Sequence, residues 1–122
     1  MIRARIFGRD VEMQGSPWTM VVYRREFGGD LVSDIVEAYK SERIALADWL
    51  GFAWAMCRTH SDDVEPFDEW CRGFPDFTLG DGEGAAAASV IGSAIEAELF
   101  RRRPSAFQRW RRSLRARRLG RV

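Results

Sequence analysis

The sequence predicts a mainly α fold, a small helical domain of about five helices behind a short N-terminal β-hairpin. Three observations carry this reading. Residues 2–13 alternate apolar and polar around a glycine. Residues 16–39 read as two capped helices joined by a glycine pair. Two longer stretches, 41–59 and 85–103, repeat apolar residues every three or four positions on either side of a loop rich in Gly, Pro and Asp.

In the hairpin, Ile2, Ala4 and Ile6 alternate with Arg3 and Arg5, and Gly8-Arg9-Asp10 offers a turn before Val11, Glu12 and Met13. Two strands alone are marginal, so the hairpin must pack on helices. Ser16 can cap the next segment and Pro17 suits a first helical position, where a missing N–H costs nothing. Trp18, Val21 and Val22 form its apolar stripe, and Gly28 or Gly29 can end it in the left-handed conformation. Asp30 can cap a second helix carrying Leu31, Val32, Ile35, Val36 and Tyr39.

Ser41-Glu42 can restart a helix running to about Thr59. Ile44, Ala47, Leu50, Trp54 and Cys57 make one stripe, and Leu46, Trp49, Ala53 and Met56 a second. A helix apolar nearly all round belongs at the centre of a domain. Pro66 can start a short helix bearing Phe67, Trp70 and Cys71 and ending near Gly73, with Phe74 to Phe77 extended and Thr78 to Gly84 a loop. The last helix of the domain spans about Ala85 to Arg103, with Ala87, Val90, Ile91, Ala94, Ile95 and Leu99 facing in, and Pro104 is a boundary. The chain therefore divides into a helical domain, 1–103, and a basic C-terminal segment, 104–122.

With 122 residues, 46% of them apolar and 12% aromatic, the chain has the means to bury one core. No apolar run approaches the ~18 residues of a membrane span, and the first ten residues lack the apolar centre of a signal peptide, so a cytoplasmic location is expected. Cys57 and Cys71 are expected as reduced core residues. Charge is strongly divided. Up to Phe100 there are eighteen acidic and nine basic residues, a net −9, whereas from Arg101 onward there are ten arginines and no acid. Such a segment binds something anionic or folds back on its own acidic body.

Catalytic chemistry finds little material. His60 is the sole histidine, and a nucleophilic or metal site would need it together with Cys57, Cys71, Asp62 or Asp63, without the paired spacing of zinc ligands. Gly80-Asp81-Gly82-Glu83-Gly84 lacks the lysine and hydroxyl of a phosphate loop, and its acids would repel phosphate. No cofactor or metal is expected, and neither is an enzyme. Two features point to binding instead. Asp62 and Asp63 head an acidic cluster able to dock a basic partner. Phe107 and Trp110 lie at helical spacing among Arg109, Arg111 and Arg112, a basic amphipathic pattern suited to a partner groove or to stacking on nucleic acid.

Pro17-Trp18, the EFGGD junction at 26–30, Trp-Ala-Met-Cys at 54–57 before an acidic loop, Phe-Asp-Glu-Trp at 67–70 and Glu-Ala-Glu-Leu-Phe at 96–100 occur in one order. In that order and spacing the chain from Ile2 to Arg103 resembles a tail assembly chaperone of long-tailed, siphovirus-type bacteriophages or prophages. The resemblance implies a small non-enzymatic helical protein that binds the tape measure protein, assists assembly of the tail tube protein in the bacterial cytoplasm, and is absent from the mature virion. It leaves a homo-oligomer and a longer frameshifted product open, and brings no agreed binding residues. Partner-binding candidates therefore rest on charge and aromatic character: Phe107, Trp110, Arg109, Arg111, Arg112, Asp62 and Asp63. The alternative function is a small nucleic-acid-binding regulator that uses the arginine-rich segment.

Overall fold

The computed structural model describes residues 1–100, so the basic segment 104–122, with Phe107, Arg109, Trp110, Arg111 and Arg112, lies outside the described residues. Within them the order is β1 (Ile2–Ile6), β2 (Arg9–Met13), α1 (Pro17–Phe27), α2 (Leu31–Lys40), α3 (Leu46–His60), α4 (Phe67–Arg72) and α5 (Glu83–Leu99), with a single 3₁₀ turn at Gly80–Gly82. The fold is thus mainly helical, five helices behind a short antiparallel hairpin.

The hairpin pairs Ile2 with Met13, Ala4 with Val11 and Ile6 with Arg9. Alternation puts Ile6, Val11 and Met13 in the core and sends Arg3, Arg5 and Asp10 to solvent. The turn falls at Phe7-Gly8 rather than at Gly8-Arg9-Asp10: φ is 45° at Phe7 and 78° at Gly8, the paired positive values that match the twist of a tight hairpin. Glycine adopts this conformation freely, but phenylalanine is strained there by roughly 1–2 kcal/mol. The Phe7 ring offsets the strain by packing on Phe74 and Phe77, and its carbonyl accepts the Asp76 N–H at 3.3 Å.

Helix α1 begins as a reciprocal cap. Ser16 Oγ accepts the Trp18 N–H, and Thr19 Oγ1 accepts the Ser16 N–H, both at 3.1 Å. Gly28, with φ 76°, closes the helix. Its inward face differs from the predicted stripe: Thr19, Val22 and Tyr23 are buried, while Trp18 and Val21 are exposed. The reason is that Thr19 Oγ1 finds Thr59 Oγ1 at 2.7 Å, so a hydroxyl pair rather than an indole sits at this contact with α3. Asp30 caps α2 by accepting the Ser33 N–H at 2.9 Å, which holds its carboxyl below the ordinary range. Leu31 and Ile35 are fully buried, and Val32 is exposed.

Helix α3 is central, with Trp49 and every residue from Gly51 to Cys57 buried and β2, α1, α2, α4 and α5 around it. It starts at Leu46, later than Ser41-Glu42. The Ser41 N–H is used by the Glu37 carbonyl to finish α2, and Ser41 Oγ accepts the Arg43 N–H in a local turn. Ile44, expected on a core stripe, is therefore exposed, and Ala47, on the same expected stripe, is exposed in the first turn of α3. Helix α5 lays Ala87, Ala88, Ile91, Ala94 and Ile95 against the core, and Val90 and Leu99 are half-buried. Among the described residues no helix is long and apolar enough to cross a membrane.

Both cysteines are free, Cys57 buried and Cys71 only half-buried. Burial pushes the Cys57 thiol from about 9 to about 12. The unfolded thiol ionises near 9 and the folded one does not, so the fold loses stability as pH rises from 9 towards 12. At pH 8 a thiol reagent is expected to label Cys71 and to spare Cys57 until denaturant is added. Native labelling of Cys57 at the rate of an unfolded peptide would contradict this packing.

Candidate partner-binding groove

The consecutive helices α1 and α2, together with the end of the distant α5, build an open apolar groove of about 580 Å³. The first turns of α1 contribute Pro17 and Met20, α2 contributes Leu31, Val32 and Ile35, and the end of α5 contributes Leu99 and Phe100. Met20 and Val32 are each 43% exposed, beside the buried Leu31 and Ile35. A concavity of this size and apolar character has the dimensions of a ligand or side-chain site.

Buried polar contacts fix its shape. Glu98, 7% exposed, accepts the Gly15 N–H at Oε1 (3.2 Å) and pairs through Oε2 with the Met1 α-amino group (3.1 Å). The carboxylate thereby ties the start of β1 and the link between β2 and α1 to α5. Gly15 is required there by proximity, because a Cβ would lie 2.5 Å from the Glu98 carbonyl oxygen. Outside the groove lining, the Tyr23 hydroxyl donates to Asp34 Oδ2 at 2.6 Å and sets α1 against α2. Burial, and then this bond, hold the phenol protonated well above its ordinary range.

A smaller concavity of about 210 Å³ lies between α1 and α3, between Trp18, Arg25, Trp54, Arg58 and Pro66. The Arg25 guanidinium covers the Trp18 ring at 5.0 Å, and Trp54 Nε1 donates to the Glu65 carbonyl at 2.8 Å. Arg58 is occupied by the carbonyls of Asp62 and Val64. The α1 surface thus presents Trp18, Met20 and Val21 between two hollows.

Asp62 and Asp63 are exposed in the turn after α3 and do not line the groove. The Asp62 carbonyl accepts from Arg58, and the Asp63 N–H donates to Ser61 Oγ at 3.2 Å, so both also serve the turn itself. His60 has Glu12 Oε2 2.6 Å from Nε2 and Gln14 Oε1 3.2 Å from Nδ1. These contacts join the end of α3 to β2, and the nearby Cys57 thiol is held protonated rather than activated. Among the described residues no cluster of three or more His, Cys, Asp or Glu could hold a metal ion.

The groove itself was not visible in the sequence. Val32 reads as part of the apolar stripe of α2, whereas Met20 belongs to no predicted stripe, and only the placement of the elements brings the two together. No protein-family model, curated protein or solved structure gives a significant match to the chain.

Proposed function

We propose that this protein is a non-enzymatic tail assembly chaperone that shields helical segments of a phage tape measure protein while the tail tube protein assembles. The observation that carries the reading is the open apolar groove between α1, α2 and the end of α5, a surface that accepts the apolar edge of an amphipathic helix. A buried core on α3 and a rigidly bonded groove wall suit a protein whose task is to hold a partner and release it. The resemblance of Ile2 to Arg103 to such chaperones supplies the identity of the client and a location in the bacterial cytoplasm. The test is co-expression with the tape measure protein of the same phage or prophage: the client is expected to become soluble and to co-purify at low salt. A client that stays insoluble, with no complex recovered, defeats the reading.

Ten arginines within the last 22 residues favour a second reading, a nucleic-acid-binding regulator. It requires retention of the full chain on DNA or RNA that falls steeply with salt, and salt-insensitive or absent binding removes it.

A further inference from the structure

We propose that the free edge of β1 is a docking site for an extended strand of another protein, one that carries acidic residues opposite Arg3 and Arg5 with an apolar residue between them.

The ladder defines the edge. Ile6 pairs with Arg9 across the Phe7-Gly8 turn, so the backbone groups of Ile6, Ala4 and Ile2 are spent on β2, and the N–H and C=O of Arg3 and Arg5 point the other way. Among the described residues no further strand joins this hairpin, and no backbone group bonds to those of Arg3 and Arg5. Such an edge is a template for another strand. Both of its ends are fixed: the Met1 amine is held by Glu98 at 3.1 Å, and the Phe7 carbonyl accepts the Asp76 N–H at 3.3 Å. A strand held in place beforehand loses less freedom when it is joined. There is also room beside it. An open hollow of about 250 Å³ is lined by Ile6, Phe7 and Gly8 on one side and by Ala86 and Val90 of α5 on the other, with no residue of β2.

The strand already paired to β1 shows what β1 selects. Opposite Arg5, Ala4 and Arg3 stand Asp10, Val11 and Glu12. Arg5 reaches Asp10 at 2.9 Å and Arg3 reaches Glu12 at 3.1 Å, while Val11 is buried. The two arginine side chains remain 72% and 64% exposed, so each guanidinium has donors left for a second acid. On an added strand, the residues opposite Arg3 and Arg5 share their solvent face, and the residue opposite Ala4 turns to the inner face, where α5 lies. Glu83, which also lines the hollow, and Asp76, beside Gly8, disfavour a further acid beyond Arg5.

A second copy of the chain does not meet these requirements. Any antiparallel register that engages the middle of two β1 strands sets arginine opposite arginine, which is destabilising and guards the edge against self-pairing. The β2 strand of another copy has suitable residues, but it is packed on α3, where the Glu12 backbone bonds the Cys57 sulfur. The occupant is therefore a segment of a different protein. Being extended, it is separate from the helical client of the groove.

The test follows backbone hydrogen exchange in the full chain by NMR, alone and with a capped peptide, Thr-Val-Asp-Val-Glu-Val-Thr, beside a control peptide with lysine at both acidic positions. In the free chain the Arg3 and Arg5 amides are expected to exchange at least about tenfold faster than those of Ala4 and Ile6. The acidic peptide should slow them at least about tenfold, and should bind roughly tenfold more tightly than the lysine peptide. Arg3→Glu combined with Arg5→Glu should reverse that preference, with slow exchange at Ala4 reporting an intact hairpin. Arg5→Pro removes an outward N–H that the hairpin does not use, and should weaken the acidic peptide several-fold. Arg3 and Arg5 amides already protected in the free monomer would show the edge covered and overturn the proposal. So would protection that rises with protein concentration alone, which would put a second copy on the edge. Equal binding of the two peptides, or no binding of either at millimolar concentration, would overturn it as well. The probe involves neither the groove nor a tape measure protein, so its failure leaves the chaperone reading to be decided by client solubility.

Discussion

Replacing Trp70 with alanine is expected to lower the free energy of unfolding by about 3–5 kcal/mol, the range for removing a large buried aromatic side chain. Trp70 is 2% exposed and, among the described residues, is the largest of the fully buried side chains. It lies stacked with Phe67 at 6.3 Å and edge-on to Phe74 at 4.8 Å, and the Arg9 guanidinium lies 5.6 Å from the centre of its ring. The same arginine donates to the Trp70 carbonyl at 2.9 Å. One indole therefore joins α4, the chain after it and the second hairpin strand. Its loss opens a cavity at the junction of these elements, whose remaining contacts include Phe7 on Phe74, Phe67 on Phe27 and Arg9 with Glu65. For a domain of this size the midpoint of thermal unfolding should fall by roughly 10–20 °C, read by circular dichroism. Trp70→Phe should recover part of the loss. A shift of only a degree or two in the alanine variant would mean that the hairpin and α4 are held by something else.

The second large effect concerns binding. Met20→Asp combined with Val32→Asp puts two carboxylates into the groove at positions already open to water, so folding should change by well under 1 kcal/mol. Binding should not survive. Each carboxylate would have to be desolvated beneath an apolar helix edge, at a cost of more than about 1 kcal/mol apiece. Capture of the tape measure protein is therefore expected to drop by at least about tenfold while the circular dichroism spectrum and unfolding midpoint stay near the parent's. The matched control is Val21→Asp, which changes an equally accessible α1 residue outside the groove and should leave capture intact.

These expectations depend on features that differ in how far the sequence announces them. Local chemistry was legible. Ser16, Gly28 and Asp30 cap or end helices as their side chains and backbone freedom require, and the alternation of Ile2, Ala4 and Ile6 places the inner face of β1. The central position of α3 followed from apolar residues around its circumference. What could not be read was which of two adjacent apolar residues wins the interior. In α1 the inward position went to Thr19 because its hydroxyl meets that of Thr59, forty positions away, and the indole of Trp18 went outward under Arg25. At Ile44 the local turn of Ser41 outweighed helical periodicity. Glu98 carried no signal as a buried acid, since its partners, Gly15 and the Met1 amine, are 83 and 97 positions distant. The groove is invisible for the same reason: its walls are local, but their juxtaposition is not.

The central claim, that this groove is where a client helix is held, is tested most directly in the complex itself. The full chain bearing a benzophenone side chain at Val32 would be co-expressed with the tape measure protein and irradiated, beside a control bearing it at Arg5, which faces solvent on the hairpin. The account predicts a covalent adduct with the tape measure protein from Val32 and none from Arg5. Recovery of the intact complex with no adduct from Val32, or with adducts from Arg5 alone, would contradict it.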